Sequence, residues 1–201
     1  MSITLDHTET DTRTRVLLTA ERLFREIGYQ KTTVADIAKT LKMSPANVYR
    51  FFDSKKAIHE GVAVRLMSEV ETAVTAIADD RRLSATDRLR EMFAAIHHMN
   101  AERYVGDSKL HEMVAIAMEE SWQICEAHIQ RECETIARVI AEGVERGEFK
   151  PCDPLPTALC VCASMLRFFH PQMIAQCANK PLPTLEQMTE FVIAGISVPK
   201  T

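Results

Sequence analysis

Residues 32–55 read TTVADIAKTLKMSPANVYRFFDSK, and this stretch decides the fold. Thr33 is followed three residues later by Asp36, a capping-box pattern that starts a helix. Ser44 and Pro45 start a second helix, because Ser is a favoured N-cap and Pro is tolerated at the first helical position. Two short helices separated by a tight turn are typical of a helix-turn-helix, whose second helix enters the major groove of DNA. The stretch therefore predicts sequence-specific DNA binding.

The charge of the chain is unevenly distributed around this stretch. The whole sequence of 201 residues carries a formal net charge of −4, with 24 Lys and Arg and 28 Asp and Glu. Residues 12–59 hold ten of the basic residues and only four acidic ones, so they carry +6 while the remainder carries −10. A local excess of basic side chains is what the neutralisation of DNA phosphates requires.

Helical periodicity continues along the whole chain. Apolar residues recur at helical spacing in nearly every segment, and no segment shows the sustained alternation of a strand. The sequence predicts an all-α fold of about nine helices, in which the first runs from about Thr12 to Ile27 and a long fourth helix from Ser54 to about Asp79.

Three parts of the chain are expected. Residues 1–11 are predicted to be a mobile N-terminal arm, and residues 12–58 a three-helix domain that contains the helix-turn-helix. Residues 59–201 form a second helical domain, which the long fourth helix joins to the first without a flexible linker. Within it, a helix from residue 153 to about Phe169 is expected to stop before Pro171. That helix is apolar nearly all round, so it must be covered on more than one face.

Several classes of protein are disfavoured by the composition. No window approaches 18 consecutive apolar residues, so no membrane span is expected. The polar, acid-containing start MSITLDHTETDTRTR does not match a secretory signal peptide, and a cytoplasmic location is expected. No nucleophile elbow or Gly-rich phosphate loop is present, which argues against an enzyme and against a nucleotide cofactor. The adjacent His97 and His98 would point about 100° apart on a helix, so no metal site is predicted.

The six cysteines lie in the second two-thirds of the chain, and none forms a CxxC pair. Without a secretion signal, the default is reduced thiols buried as small apolar side chains. The alternative is a redox-sensing pair, either Cys160 with Cys162 or Cys125 with Cys133. That alternative makes the protein a DNA-binding regulator controlled by cysteine oxidation.

These features resemble the tetracycline-repressor (TetR) family of bacterial transcriptional regulators. The resemblance rests on LLTAERLFREIGYQKTTVADIA at residues 17–38 and MSPANVYRFFDSK at residues 43–55, and it covers about residues 13–62. It implies a homodimer that binds a palindromic operator in double-stranded DNA. It also implies that residues 59–201 bind a small-molecule effector, of unknown identity, which releases the repressor from DNA and thereby regulates transcription.

The chemistry of the second helix of the helix-turn-helix, and for Thr33 and Lys55 the resemblance, assign residues to DNA. Asn47 would bind an adenine edge in the major groove, while Arg50 suits a backbone phosphate or, alternatively, a guanine. Many family members carry Lys-Gly where this chain has Pro45-Ala46, which changes the expected operator sequence. An exposed Asn can instead simply be solvated. The full set of predicted DNA-binding residues is Thr33, Ser44, Pro45, Ala46, Asn47, Tyr49, Arg50 and Lys55.

Two further surfaces are predicted in the second domain. Met-rich and aromatic faces suggest an apolar effector cavity, although the same residues would also fill an ordinary core. The candidates for effector binding are Met67, Phe93, His97, Met113, Met118, Trp122 and Cys125. In this family the last two helices pair across the dimer axis, and the candidates for that interface are Leu159, Leu166, Phe169, Met188, Phe191 and Val192.

Overall fold

The computed structural model describes the backbone of residues 3–180 and 183–199, and the side chains from Thr10 onward. Eleven helices lie in these described residues. They are α1 Ile3–Ile27, α2 Val34–Thr40, α3 Pro45–Tyr49, α4 Lys55–Ala78, α5 Ala85–Tyr104, α6 Ser108–Glu120, α7 Trp122–Glu145, α8 Pro154–Ser164, α9 Leu166–Phe169, α10 Pro171–Cys177 and α11 Leu185–Ile196. The described chain has no strand, only an isolated bridge between Phe149 and Ser197. The predicted all-α class is confirmed.

The helix boundaries differ from the prediction in two places. Helix α1 begins at Ile3 rather than near Thr12, so residues assigned to the arm are helical. The single helix predicted from residue 153 to Phe169 is broken at Met165, and an unpredicted helix α10 starts at Pro171. These breaks account for the higher number of helices.

A side chain of another helix holds the segment that follows the break at Met165. Ser164 donates its hydroxyl to the carbonyl of Cys160 at 2.8 Å, as Thr72 and Thr135 do to their own i−4 carbonyls within unbroken helices. Further along, Asn100 of α5 donates to the carbonyl of Phe169 at 2.8 Å. The end of α9 is therefore fastened to another helix instead of continuing.

The chain divides into two compact units, each with its own core. The first unit comprises Met1–Leu66 and Asp107–Cys125, so it contains α1 to α3, the first part of α4, α6 and the start of α7. The second unit comprises Met67–Gly106 and Glu126–Thr201. The sequence placed the boundary at residue 58 and did not group α6 with the helix-turn-helix.

The first unit has a small apolar core around α1. Helix α1 contacts α2 and α6, and α2 contacts α3. The fully buried members of this core are Val16, Ala20, Phe24, Ile37, Ala38, Val48, Ile58, Val62 and Leu110. Because Val48 on α3 belongs to it, the second helix of the helix-turn-helix is held in a fixed orientation against the first two.

Polar contacts also attach helix α6 to the rest of the first unit. His59 of α4 is buried, its ring lies 4.6 Å from that of Tyr29, and its Nε2 lies 3.1 Å from the carbonyl oxygen of Met113 in α6. Burial lowers the pKa of His59, so the neutral ring, with Nε2–H as the donor, is favoured. Lys56 donates to the carbonyl of Glu120 at 2.9 Å at the end of α6.

The second unit has the larger core, built from α5, α7, α8, α9 and α11 with the second part of α4. Its members include Val74, Leu89, Met92, Phe93, Ile96, Ile136, Ile140, Phe149, Val161, Met165, Phe168, Phe169, Val192 and Ile193. Among the described helices, none is long and apolar enough to cross a membrane.

Candidate nucleic-acid interface

Helix α2 begins with the predicted capping box. The Thr33 hydroxyl accepts the N–H of Asp36 at 3.1 Å and donates to its carboxylate at 2.6 Å, while the N–H of Thr33 donates to the same carboxylate at 2.9 Å. These bonds lower the pKa of Asp36, which therefore stays ionised at neutral pH. Thr33 is exposed, but its hydroxyl proton is already used within the cap.

The turn between α2 and α3 is closed by backbone geometry. Lys42 has φ of 56°, a left-handed conformation that reverses the chain, and Met43 donates its N–H to the carbonyl of Ala38 at 3.0 Å. Ser44 then caps α3 by accepting the N–H of Asn47 at 3.2 Å, with Pro45 as the first helical residue. The local signals that predicted the second helix are all present.

Helix α3 has one buried and one exposed side. Val48 is completely buried, whereas Pro45, Ala46 and Arg50 are exposed and Asn47 is partly exposed. Tyr49 is 49% exposed, which is high for an aromatic ring in a small helix. The exposed side therefore presents an amide, a phenol, a guanidinium and a methyl group, which are the chemical groups that read base edges and phosphates.

The ammonium group of Lys55 already makes contacts within the protein. Its ammonium lies 4.3 Å from the centre of the Tyr29 ring and donates to the carbonyl of Gln30 at 3.2 Å. Burial lowers the pKa of Lys55, and Glu112 partly offsets this effect. The side chain ties the start of α4 to the segment before α2, so a role towards phosphate remains a prediction.

Some basic residues near α3 were missed as individual candidates. Arg13 of α1 lies over the ring of Phe52 at 4.4 Å and donates to the carbonyl of Phe51, so it holds α1 against the end of the helix-turn-helix. Lys39 and Lys42 are both exposed at the end of α2 and in the turn. The only signal for them in the sequence was the local excess of positive charge.

The candidates for effector binding fall into different units. Met113, Met118, Trp122 and Cys125 belong to the first unit, whereas Met67, Phe93 and His97 belong to the second. Phe93 is completely buried in the core of the second unit. The Nδ1 of His97 lies 3.0 Å from the carbonyl oxygen of Phe168, so this ring fastens α5 to α9. Trp122 is 44% exposed.

The candidates for the dimer interface separate into exposed and buried residues. Phe191 is 74% exposed, Leu159 52% and Leu166 51%. Phe169 and Val192 belong to the core of the second unit, and Met188 is partly buried against that core. The exposed members leave large apolar side chains uncovered on α8, α9 and α11.

The cysteines that meet are not the predicted pairs. Cys133 of α7 and Cys162 of α8 have their sulfur atoms 2.9 Å apart. Cys125 is buried in the first unit, and Cys160 is exposed on α8. Among the described residues, no group of three or more His, Cys, Asp and Glu side chains is placed to hold a metal ion.

The capped helix pair, its closed turn and its exposed polar side define a helix-turn-helix protein. Comparison with known families agrees with this class. The model of bacterial regulatory proteins of the tetR family matches residues 16–62, and the model of the tetracyclin repressor-like C-terminal domain matches residues 85–189. The second match covers more than half of the chain, and the protein belongs to the TetR family of transcriptional regulators.

The similarity of this chain to individual relatives extends over different shares of its length. An uncharacterized HTH-type transcriptional regulator of Bacillus subtilis, YhgD, is 22% identical over 156 residues, which cover 74% of this chain and 77% of that protein. The IcaR negative regulator of the Staphylococcus aureus biofilm operon is 46% identical over 46 residues, which cover 23% of this chain and only 25% of IcaR. A regulator from Saccharomonospora viridis, solved in complex with choline, has the same fold, with a TM-score of 0.66 and 21% identity over 94% of this chain and 100% of that one.

Proposed function

We propose that the protein is a homodimeric repressor that binds a palindromic DNA site through α3 and leaves it when a small molecule binds the second unit. The observation that carries the DNA-binding part is the exposed polar side of α3, held in place by the buried Val48. Residues 12–58 are the proposed DNA-binding domain. Repression is supported by the similarity of 46 residues of this chain to the negative regulator IcaR.

Dimerisation is supported by apolar stripes on the second unit. Leu155, Leu159, Ala163 and Leu166 are exposed at helical spacing along α8 and the start of α9. On and after α11, Phe191, Gly195 and Val198 form a second exposed row. Large uncovered patches of this kind mark interaction sites in soluble proteins. A two-fold dimer would also provide the two recognition helices that a palindromic site needs.

Effector release requires different affinities in the two states. A small molecule that binds the second unit more tightly when the protein is off DNA would shift the population towards that state. The proposed path is α4, whose residues contribute to both units, and its movement would change the separation of the two α3 helices. The similar fold of the regulator that was solved in complex with choline supports the proposal of a small-molecule effector.

The first test is the selection of binding sites from random double-stranded DNA. A palindromic consensus with half-sites one helical turn apart, and an affinity that falls steeply with salt, are expected. Arg50→Ala should weaken binding and lower the salt slope by about one if Arg50 contacts a phosphate. Arg82→Ala is the matched control, because it removes the same charge from an exposed residue of the second unit. Equal losses for both variants, or no enrichment from wild-type protein, would contradict the proposal.

The dimer has its own test in sedimentation equilibrium. Phe191→Glu should convert the protein to a monomer, because it places a charge on the proposed interface. Ile129→Glu on α7 is the control, since Ile129 is also an exposed apolar residue but lies outside both stripes. A monomeric wild-type protein would refute the homodimer directly.

Control by oxidation is the second candidate mechanism, favoured by the contact between Cys133 and Cys162. In that case peroxide would release a bound DNA probe, and dithiothreitol would restore binding. Cys133→Ser would abolish the response without changing the affinity of the reduced protein. A probe that stays bound under peroxide leaves the effector mechanism as the only proposal.

A further inference from the structure

Two thiols of the second unit lie in direct contact. The sulfur atoms of Cys133 in α7 and Cys162 in α8 are 2.9 Å apart, although 29 positions separate the residues in sequence. A disulfide has an S–S distance of about 2.05 Å, so an approach of roughly 0.9 Å would complete the bond. Both residues belong to one compact unit.

The other cysteines are not arranged in this way. Cys152 and Cys160 are exposed, Cys177 is partly exposed, and Cys125 is buried in the other unit. Among the described residues, Cys133 and Cys162 are the pair whose sulfurs are in hydrogen-bond contact. The pairing is therefore specific to these two positions.

The contact makes the two sulfurs chemically different. The two sulfurs share one hydrogen bond, which lowers the pKa of Cys133 and raises the pKa of Cys162. Burial and the neighbouring Glu132 and Glu134 carboxylates act against the Cys133 thiolate. Cys133 is thus the sulfur that attacks first, and its buried, acid-flanked position slows reaction with dilute oxidant.

We propose that Cys133 and Cys162 form a reversible intramolecular disulfide when the protein meets a peroxide. The Cys133 thiolate attacks one peroxide oxygen, an S–O bond forms as the O–O bond breaks, and the released hydroxide takes up a proton to become water. The Cys162 sulfur then attacks the Cys133 sulfur, loses its proton, and displaces the hydroxyl group as a second water. Two thiols are oxidised by two electrons, and one peroxide is reduced to two waters.

The bond would join α7 to α8 covalently. Helix α8 carries the exposed residues Leu155 and Leu159, so the link fixes an element with a large uncovered apolar surface to the core of the second unit. Closing a loop of this length restricts the unfolded chain. A rise in Tm of about 5–10 °C on oxidation is expected for a domain of this size.

The test uses the full-length protein, reduced and then treated with excess hydrogen peroxide. The link should account for the loss of two of the six titratable thiols, and the linked peptides should weigh about 2 Da less than the sum of their reduced forms. Peptide mapping without reduction should show a link between the peptides of Cys133 and Cys162, and dithiothreitol should remove it. The raised Tm should return to its original value on reduction.

Matched variants separate this pair from its neighbours. Cys133→Ser and Cys162→Ser should each prevent the link, whereas Cys160→Ser, two positions away on the same helix, should leave it intact. Circular dichroism of the reduced variants shows whether they fold, and the map of the wild-type protein decides the question if one does not. A link through Cys160, or oxidation of Cys133 without a link to Cys162, would overturn the proposal. Because these readouts are chemical, their failure would not affect the proposed DNA binding.

Discussion

Gly143 packs against the ring of Phe149 in the core of the second unit, and replacing it by Ala tests that packing directly. Gly143 is a buried residue near the end of α7. A Cβ at this position would lie within 3.0 Å of two ring carbons of Phe149 and at 3.0 Å from the Cβ of Ala85. The two distances to the ring, 2.1 and 2.3 Å, are shorter than any real contact of a Cβ atom, so either the ring or the helix must move.

The Phe149 ring has little freedom to move away. It is 1% exposed, and its N–H donates to the carbonyl of Gly143 at 3.1 Å. On its other side, Lys150 donates its N–H to the carbonyl of Ile196 at 2.8 Å. Overpacking of such a core costs roughly 1–3 kcal/mol or more. The gain in helix propensity from Gly to Ala, about 1 kcal/mol, offsets only part of a cost at the upper end of this range.

A net loss of about 2 kcal/mol in the free energy of unfolding is therefore expected for Gly143→Ala. For a chain of this length the loss corresponds to a fall in Tm of about 4–8 °C. Urea unfolding followed by circular dichroism, at one fixed protein concentration, measures the difference. In a Phe149→Ala background the same change should be neutral or stabilising by up to about 1 kcal/mol, because the ring is gone and the propensity gain remains. Equal destabilisation in both backgrounds would refute the steric reasoning.

Three other substitutions have clear expected outcomes. Gly61→Ala should lower the free energy of unfolding by less than about 1 kcal/mol. Its Cβ would lie 2.7 Å from the tip of the Leu17 side chain, which is partly exposed and can turn away. A loss in urea unfolding as large as that of Gly143→Ala would contradict this. Burial raises the pKa of Glu132, so its carboxyl holds a proton more tightly in the folded than in the unfolded protein. The free energy of unfolding should therefore fall as the pH rises above about 4.3, the pKa of Glu in an unfolded chain. Glu132→Gln should remove this slope and be more stable than wild type at pH 8, and thermal unfolding across pH would exclude the idea if the wild-type slope persisted in the variant. Thr184→Ala should cost about 1 kcal/mol, because the hydroxyl caps α11 by accepting the N–H of Gln187 at 3.1 Å, whereas Thr184→Ser should be close to wild type in the same unfolding assay.

The helix-turn-helix was predictable because its signals are local. The bonds of Thr33 to Asp36 and of Ser44 to Asn47 each span three residues, so the pattern that predicts each cap also contains both of its partners. The family and the fold class followed from these caps correctly.

The helix boundaries beyond residue 150 depend on distant residues. Nothing near Met165 in the sequence reveals that Asn100 of α5 will bond to the carbonyl of Phe169 and hold the end of α9. Pro171 was interpreted as a stop, but in the structure it is the first residue of α10, where a missing N–H has no consequence. Pro45 is correctly predicted to be the first residue of its helix, and only the tertiary context distinguishes a Pro that begins a helix from one that ends it.

The cysteine contact was also out of reach of spacing arguments. Cys160 and Cys162 are two positions apart, and such residues point about 200° apart around a helix. Cys125 and Cys133 are eight positions apart, and such residues are separated by about 12 Å along the helix axis. Neither predicted pair could meet while its helix stayed regular. The observed pair joins two helices, and no pattern within either helix indicates the other.

Affinity and specificity for DNA should reside in different residues of the first unit. The exposed side of α3 itself carries no charge and Arg50 follows at its end, while Lys39 and Lys42 are exposed just before it and Lys55 is engaged with Tyr29. Phosphate contacts set the salt dependence and base contacts set the sequence preference. Lys42→Ala should therefore lower the salt slope by about one and leave the selected consensus unchanged. Asn47→Ala should relax the preference at one base pair by roughly 1–3 kcal/mol at an unchanged slope. If either variant altered both quantities, the division between base contacts from α3 and phosphate contacts from the basic residues on either side of it would be wrong.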